Sequence, residues 1–257
     1  MIEILGYIFF ILAGLFFGLF GSGGSIIIIP ILVYIFKLPI YEATTYSLLL
    51  VLLISLFGTL KHIQQKNLHI QKINFFIIPT LIFTSISRVF LFPEIPEKIV
   101  FLNASKDSFL MILFSIVIFF SGASLLKQTF FSIKSNFKIV LIFIGILIGL
   151  LTGLLGIGGG FIIVPALVLF ARMNMKKAAS TALFIIMLNT LLAIILEISI
   201  FNFQFDWIFI LFLFTSALIG ITIGISLLNK IDVNTIKKMF SFSLLLLSLL
   251  IFFIELF

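Results

Sequence analysis

Two glycine-rich stretches have the composition from which proteins build anion sites inside a membrane. They are Gly21-Ser-Gly-Gly-Ser25 and Gly156-Ile-Gly-Gly-Gly160. Glycine adopts positive φ easily and lets another backbone approach closely. A helix that begins after such a turn presents N–H donors and a partial positive charge, which suits a small anion without a buried lysine. The turn residues that we expect to bind substrate are Gly21, Ser22, Gly23, Gly24, Ser25, Gly156, Gly158, Gly159 and Gly160.

A short polar patch follows each glycine turn and supplies hydroxyl groups. The first patch spans residues 42–47 and the second spans residues 177–182. The hydroxyls could coordinate the oxygens of an anion, or they could cap the helices that the patches open, and the sequence leaves both interpretations open. The candidate substrate ligands in the patches are Thr44, Thr45, Ser47, Ser180 and Thr181.

Few other polar side chains interrupt the apolar stretches. Asn189 lies deep in its stretch, where hydrogen bonding between helices is the expected role and substrate binding the alternative. Arg88 lies near a helix end, where we expect it to snorkel to the interface, and a buried substrate or ion-pair role is the alternative. His62 and His69 fall in a basic loop and are expected to be solvated. We expect no carboxylate at mid-membrane, no metal site, no cofactor and no catalytic residue.

Both glycine stretches belong to a longer internal repeat. Residues 14–48 align without gaps with residues 149–183, and 14 of the 35 positions are identical. Each copy contains an apolar segment, the glycine turn, a second apolar segment with a proline, and the polar patch. Other glycines of the repeat have the spacing of close helix contacts, which predicts a packing role for them. These packing glycines are Gly14, Gly18, Gly145, Gly149 and Gly153.

The composition requires lipid as the main solvent of the chain. Of the 257 residues, 63% are hydrophobic and only 10% are charged, and the mean hydropathy is +1.42. A soluble domain is about 25% charged, so it could not hide this much apolar surface. The net charge of +7 does not indicate a nucleic-acid partner, because the basic residues form short clusters between apolar stretches. The chain has no cysteine, which excludes disulfides and thiolate sites.

The apolar stretches predict an all-α polytopic membrane protein with two inverted repeats, each a broken or hairpin helix with a glycine-rich turn plus three transmembrane helices. In the first half the predicted elements are 4–20, 24–36, 43–60, 73–91 and 108–126. In the second half they are 139–155, 160–171, 178–196, 207–228 and 238–256. The predicted domains are a first membrane repeat at 1–126, a cytoplasmic linker at 127–138 and a second membrane repeat at 139–257. An odd number of elements in each half turns the second half upside down.

The charge distribution predicts the orientation of the chain. If both glycine turns reverse the chain, 12 of the 16 basic residues fall on one side, which is the cytoplasmic side by the positive-inside rule. Both termini then lie outside. The residues expected in the cytoplasm include Lys66, Lys134, Lys176 and Lys237.

With these motifs the sequence resembles the sulfite exporter (TauE/SafE) family of membrane transporters. The matching residues are Gly18-Leu-Phe-Gly-Ser-Gly-Gly-Ser25 with Pro30, and Gly153-Leu-Leu-Gly-Ile-Gly-Gly-Gly160 with Pro165. The resemblance covers the length, the duplication and both motifs. It implies a carrier of sulfur oxyanions or organosulfonates, whereas the residues alone indicate only a small anion.

The expected function is secondary transport of small anions across a bacterial-type inner (plasma) membrane. An anion channel is the alternative. An intramembrane enzyme is the alternative from another class, and it lacks a base within reach of Ser22 or Ser25. The expected partners are the anion and the lipid bilayer, without nucleic acid, and a homo-oligomer remains open.

Overall fold

The computed structural model shows a bundle of helices and describes residues 2–21, 24–64, 73–99, 104–127, 137–156, 158–228 and 230–256. The first half contains α1 Ile2–Phe20, α2 Ser25–Pro30, α3 Ile40–Gln64, α4 Asn74–Ile86, α5 Phe92–Glu94 and α6 Lys106–Lys127. The second half contains α7 Phe137–Leu155, α8 Gly160–Leu169, α9 Met175–Phe201, α10 Trp207–Leu228 and α11 Val233–Leu256. A two-residue antiparallel pair, β1 Lys98–Ile99 and β2 Ala104–Ser105, joins α5 to α6.

The helices agree with the ten predicted membrane elements in order and position. Within the described ranges, seven helices are long and apolar enough to cross a membrane, and three shorter apolar helices accompany them. For the predicted element 207–228, α10 begins and ends at the predicted residues. The predicted boundaries are too short for α3 and α9, which end at Gln64 and Phe201. This difference matters because His62 and Glu197, which we expected in loops, are helical.

Two segments of π-helix interrupt the first half. Ile31–Ile35 follows Pro30, whose missing N–H removes one helical hydrogen bond. Ser87–Leu91 follows α4, and the Ser87 hydroxyl donates to the carbonyl oxygen of Leu150 on α7 at 2.6 Å. Single π-turns are frequent at functional sites.

The main helix pairs each take one helix from each half. They are α1 with α10, α4 with α7, α3 with α9, and α6 with α11. In the repeat alignment α1 corresponds to α7 and α4 corresponds to α10, so the first two pairs are each other's equivalents. The other two pairs each join a helix to its own counterpart.

The packing role predicted for the repeat glycines is confirmed. A methyl group on Gly14 would overlap the carbonyl oxygen of Ala217 on α10. On the equivalent pair, a methyl group on Gly149 would lie 2.8 Å from the carbonyl oxygen of Thr80 on α4. The missing side chains therefore let helix backbones touch, as in other membrane bundles. Large apolar side chains such as Phe120 and Phe143, each 68% exposed, cover the outside of the bundle, where lipid would contact them.

The helices α3 and α9 form a buried antiparallel pair at the centre, which we call the seam. Near one end Thr45 Oγ1 lies 3.0 Å from Glu197 Oε1. Further along, a methyl group on Gly58 would lie 3.1 Å from the Leu183 side chain. Residue numbers rise along α3 in the direction in which they fall along α9, so the beginning of each helix lies beside the end of the other.

Candidate functional site

The glycine turns have the backbone that the sequence predicts at four positions. Positive φ occurs at Gly21 (75°), Gly156 (66°), Gly158 (68°) and Gly159 (74°), where any other residue would be strained. Gly24 differs, because its φ is −70°. Its lack of a side chain is required instead by the carbonyl oxygen of Ala13 and the ring of Phe17. The remaining first-turn candidates Ser22 and Gly23 lie outside the described residues, and Ser25 and Gly160 are buried at the starts of α2 and α8.

The first N–H group of each turn is used by the preceding helix. The Gly21 N–H donates to the Phe17 carbonyl oxygen at 2.9 Å, and the Gly156 N–H donates to the Thr152 carbonyl oxygen at 2.9 Å. These two groups end α1 and α7, so they are not donors for an anion. Any backbone contact with a ligand must come from later positions of the turns.

Each turn touches the polar patch of the other half. Gly21 abuts Ala179 at the start of α9, and Gly156 abuts Thr44 at the start of α3. Ala179 and Thr44 are equivalent positions of the repeat. Because α3 and α9 are antiparallel, these two contacts lie roughly 25 Å apart along the seam, at about 1.5 Å per residue. Gly21 and Gly156 therefore lie at opposite ends of the seam and do not face one another.

The patch hydroxyls do not cap the helices. Thr44 and Thr45 both donate to the carbonyl oxygen of Tyr41 at 2.9 Å, inside the first turns of α3. Ser180 donates in the same way to the carbonyl oxygen of Lys177. The cap of α9 is Asn174, whose Oδ1 accepts from the Lys177 N–H at 2.9 Å. Of the two interpretations left open by the sequence, capping is wrong for these hydroxyls.

Arg88 is buried in the protein, so its expected interfacial position is wrong. Its side chain is 1% exposed, and that of its partner Glu197 is 0% exposed. The Arg88 Nε lies 2.9 Å from Glu197 Oε2, and Nη2 lies 3.2 Å from Oε1. The planar guanidinium thus meets both carboxylate oxygens, which is the strong two-point arrangement of such pairs.

Two hydroxyls of the first patch complete the surroundings of the guanidinium. Arg88 Nη1 donates to Thr44 Oγ1 at 3.2 Å, and Nη2 donates to Thr45 Oγ1 at 2.8 Å. The ring of Phe92 covers one face, with its centre 4.3 Å from the guanidinium carbon. We call Arg88, Glu197, Thr44 and Thr45 the guanidinium cluster. It joins the π-helical segment, α3 and α9, and Gly156 lies against its Thr44.

Glu197 is a helical residue near the end of α9, which corrects the expectation that position 197 begins a loop. It belongs to α9 and is fully buried, whereas the sequence had placed it in the loop 197–206. Hydropathy alone could not place it, because one charge near the end of an apolar stretch looks like the start of a loop. Its ion-pair partner is 109 positions away along the chain, so no local pattern joins them.

Other polar candidates are buried without partners. In the described part of the chain, the side chains of Ser47, Thr181 and Asn189 have buried polar atoms with no hydrogen-bond partner. The hydrogen bonding between helices that we expected of Asn189 is therefore not present. His62 is 1% exposed instead of solvated, while His69 lies outside the described residues. Within the ranges described, no group of three or more His, Cys, Asp or Glu side chains could hold a metal ion.

The apolar helices define a multi-pass membrane protein, and sequence comparison gives its family. Residues 7–251 match the family described as Sulfite exporter TauE/SafE, so the chain belongs to that family. The expectation drawn from the two glycine motifs is thereby confirmed.

Two relatives carry names of the same class. The probable membrane transporter protein YunE of Bacillus subtilis (strain 168) is 25% identical over 92% of this chain and 92% of its own length. The probable membrane transporter protein MJ0441 of Methanocaldococcus jannaschii is 27% identical over 74% of this chain and 69% of its own length. No solved structure matches the chain significantly.

Proposed function

We propose that the protein is a secondary transporter of small oxyanions, with sulfite or a related sulfur oxyanion or organosulfonate as the substrate, and that Arg88 binds the anion. The buried guanidinium carries this proposal. It is 1% exposed, and its Nε, Nη1 and Nη2 all donate hydrogen bonds to groups at the beginning of α3 and the end of α9. Charged side chains at membrane depth commonly mark substrate or ion pathways.

In this mechanism Glu197 occupies the place of the substrate when no substrate is bound. A carboxylate and a sulfonate or sulfite each offer two oxygens at the spacing that a guanidinium fork accepts. An entering oxyanion would take Nε and Nη2 from Glu197 and keep the hydroxyls of Thr44 and Thr45 as neighbours. The internal carboxylate keeps the guanidinium paired between transport cycles, since an unpaired buried charge is strongly destabilising.

The cluster combines residues of both repeats, which supports alternating access. Arg88, Thr44 and Thr45 belong to the first repeat, and Glu197 belongs to the second. A movement of one repeat against the other would open or close the cluster. The exchange of helix partners between halves supports an inverted repeat, with residues 1–126 and 139–257 as the two units joined by 127–138. We propose the bacterial-type inner (plasma) membrane as its location, with both termini outside.

Chloride and small carboxylates are the competing substrates that a flux experiment should include. Proteoliposomes that contain the purified protein are loaded with one labelled anion: sulfite, sulfate, thiosulfate, a small sulfonate, chloride or a small carboxylate. Efflux of the label is then measured with and without unlabelled anion outside. Counter-flow that saturates with concentration indicates a carrier, whereas continuous conductance would indicate the channel alternative.

The diagnostic variant is Arg88→Lys, which keeps the charge but loses the planar fork. We expect at least a tenfold fall in sulfite flux. The chain contains one other arginine, Arg172, which is exposed, so Arg172→Lys is the matched control and should transport like the original protein. Equal flux in Arg88→Lys and Arg172→Lys, or flux of sodium without any oxyanion, would overturn the proposed site and substrate class.

A further inference from the structure

His62 is a buried imidazole at the end of α3. Its side chain is 1% exposed, and both Nδ1 and Nε2 lack a hydrogen-bond partner within the described residues. Burying a polar group without a hydrogen bond destabilises the folded state. A histidine used only to fill space would be replaced by an apolar side chain at a gain in stability, so the unused nitrogens point to a ligand.

The internal repeat gives His62 a specific counterpart. The gapless alignment that joins the two glycine turns continues along α3 and α9, with identical pairs such as Leu53 with Leu188 and Ile63 with Ile198, and it sets His62 against Glu197. Glu197 is the group that contacts the guanidinium at one end of the seam. His62 occupies the same position at the other end.

The surroundings of these two positions also correspond. At the Glu197 end, the turn residue Gly156 abuts Thr44 at the beginning of α3. At the His62 end, the turn residue Gly21 abuts Ala179 at the beginning of α9. The same three features therefore occur at each end of the seam. They are a glycine turn, the first residues of one seam helix, and a polar side chain near the end of the other seam helix.

The two ends differ in charge. The position equivalent to Arg88 is Ile223 on α10, a 45% exposed apolar residue, so the His62 end does not repeat the ion pair. Basic residues at this end, in the part of the chain that the structure describes, include Lys61, beside His62 on α3, and Lys176 and Lys177, in the first turn of α9. A neutral imidazole donates one hydrogen bond. The ligand that suits such a group is an anion with oxygen acceptors.

We propose that His62 is the anion-contacting residue of a second oxyanion site, at the end of the seam opposite the guanidinium cluster. The class of ligand rests on the proposed function, whereas the position of the site rests on the unpartnered imidazole and the repeat. In the topology set by the basic clusters, this end faces the cytoplasm, so the second site is the one that an anion meets from inside.

The two histidines of the chain allow a direct test by nuclear magnetic resonance. In a His69→Gln background, His62 is the single imidazole, and labelling with 15N-histidine gives signals from its two ring nitrogens alone. Sodium sulfite is titrated into the detergent-solubilised protein, with sodium chloride at equal ionic strength as the control. We expect a saturable shift of both signals with sulfite and none with chloride.

The same titration in an Arg88→Lys, His69→Gln double variant separates the two sites. We expect the shift to persist there, because the second site does not use the guanidinium. No shift with sulfite, or a shift that disappears with Arg88→Lys, would overturn the second site. If sulfite causes no shift but Arg88→Lys abolishes flux, the second site is wrong and the proposed function stands. If sulfite causes a shift but no flux is measurable, the proposed function is wrong and the second site stands.

Substitution of His62 provides an independent measurement. His62→Leu should raise the half-saturating sulfite concentration for flux from the cytoplasmic face by at least tenfold, and His62→Gln, which keeps a donor and an acceptor, should raise it less. Lys98→Gln is the control, since Lys98 is an exposed lysine in β1, outside the seam. If His62→Leu transports like the original protein, the imidazole is a packing residue and the proposal is wrong.

Discussion

The buried pair of Arg88 and Glu197 allows a quantitative prediction about stability. Both side chains are at most 1% exposed, so solvent does not screen their interaction. Replacing Glu197 by methionine removes both oxygens that Nε and Nη2 contact and leaves a buried guanidinium with two hydroxyl neighbours. Loss of one partner of a buried pair costs about 3–5 kcal/mol. That cost is a large part of a total stability of about 5–15 kcal/mol.

Replacing both members of the pair should reverse most of that loss. Arg88→Met with Glu197→Met exchanges the ion pair for two flexible apolar side chains, and such exchanges are often neutral or stabilising. Each single variant is expected to lose about 3–5 kcal/mol, while the double variant should lie within about 1–2 kcal/mol of the original protein. Transport should be absent in the two variants that lack Arg88, since the double variant restores the fold without the anion-binding group.

Unfolding by SDS in mixed micelles, followed by circular dichroism, measures these free energies. The four proteins form a double-mutant cycle, and the interaction free energy follows from the difference between the double variant and the sum of the single variants. A double variant destabilised by the sum of the two single losses would refute the reasoning, because Arg88 and Glu197 would then act independently.

Two further predictions concern packing and topology. Gly14→Ala should lower the free energy of unfolding by about 1–3 kcal/mol, because its methyl group would overlap the Ala217 backbone. Gly58→Ala is the control that should lose little, since its nearest neighbours are movable side chains. Single cysteines introduced at 176 and 238 should react with a membrane-impermeant thiol reagent from the same face, and a cysteine at 98 should react from the opposite face. Labelling of 98 and 176 from the same face would contradict the inverted repeat, because the glycine turns would then not reverse the chain.

The sequence predicts the fold well because the membrane limits the choices. Hydropathy and the glycine turns place all ten elements, and the small-residue spacing identifies Gly14 and Gly149 as sites of close helix contact. These features depend on residues near each other in sequence, so a local pattern reveals them. The short β1–β2 pair lacks such a pattern and was not expected.

The candidate site depends on contacts between distant parts of the chain, and the sequence predicts it less well. The hydroxyls predict Thr44 and Thr45 as candidate ligands, and both contact Arg88, but the sequence places Arg88 at the interface and Glu197 in a loop. Both errors have the same cause. A charged residue near the end of an apolar stretch is typical of a helix end, and the local sequence does not show that it has a buried partner. Extending the repeat alignment beyond the polar patch gives one signal that Glu197 and His62 belong to helices, because it pairs these two residues inside the seam helices.

The exchange of helix partners between the halves has a consequence for biogenesis. The ribosome makes α1 among the first residues of the chain, but its packing partner α10 spans Trp207–Leu228 and is made close to the end. Until α10 is inserted, the glycine face of α1 contacts lipid. The helix tolerates this contact because it satisfies its own backbone hydrogen bonds. The two halves are therefore intertwined during assembly, and two separately synthesised halves would have to find each other in the bilayer before either could complete its helix pairs.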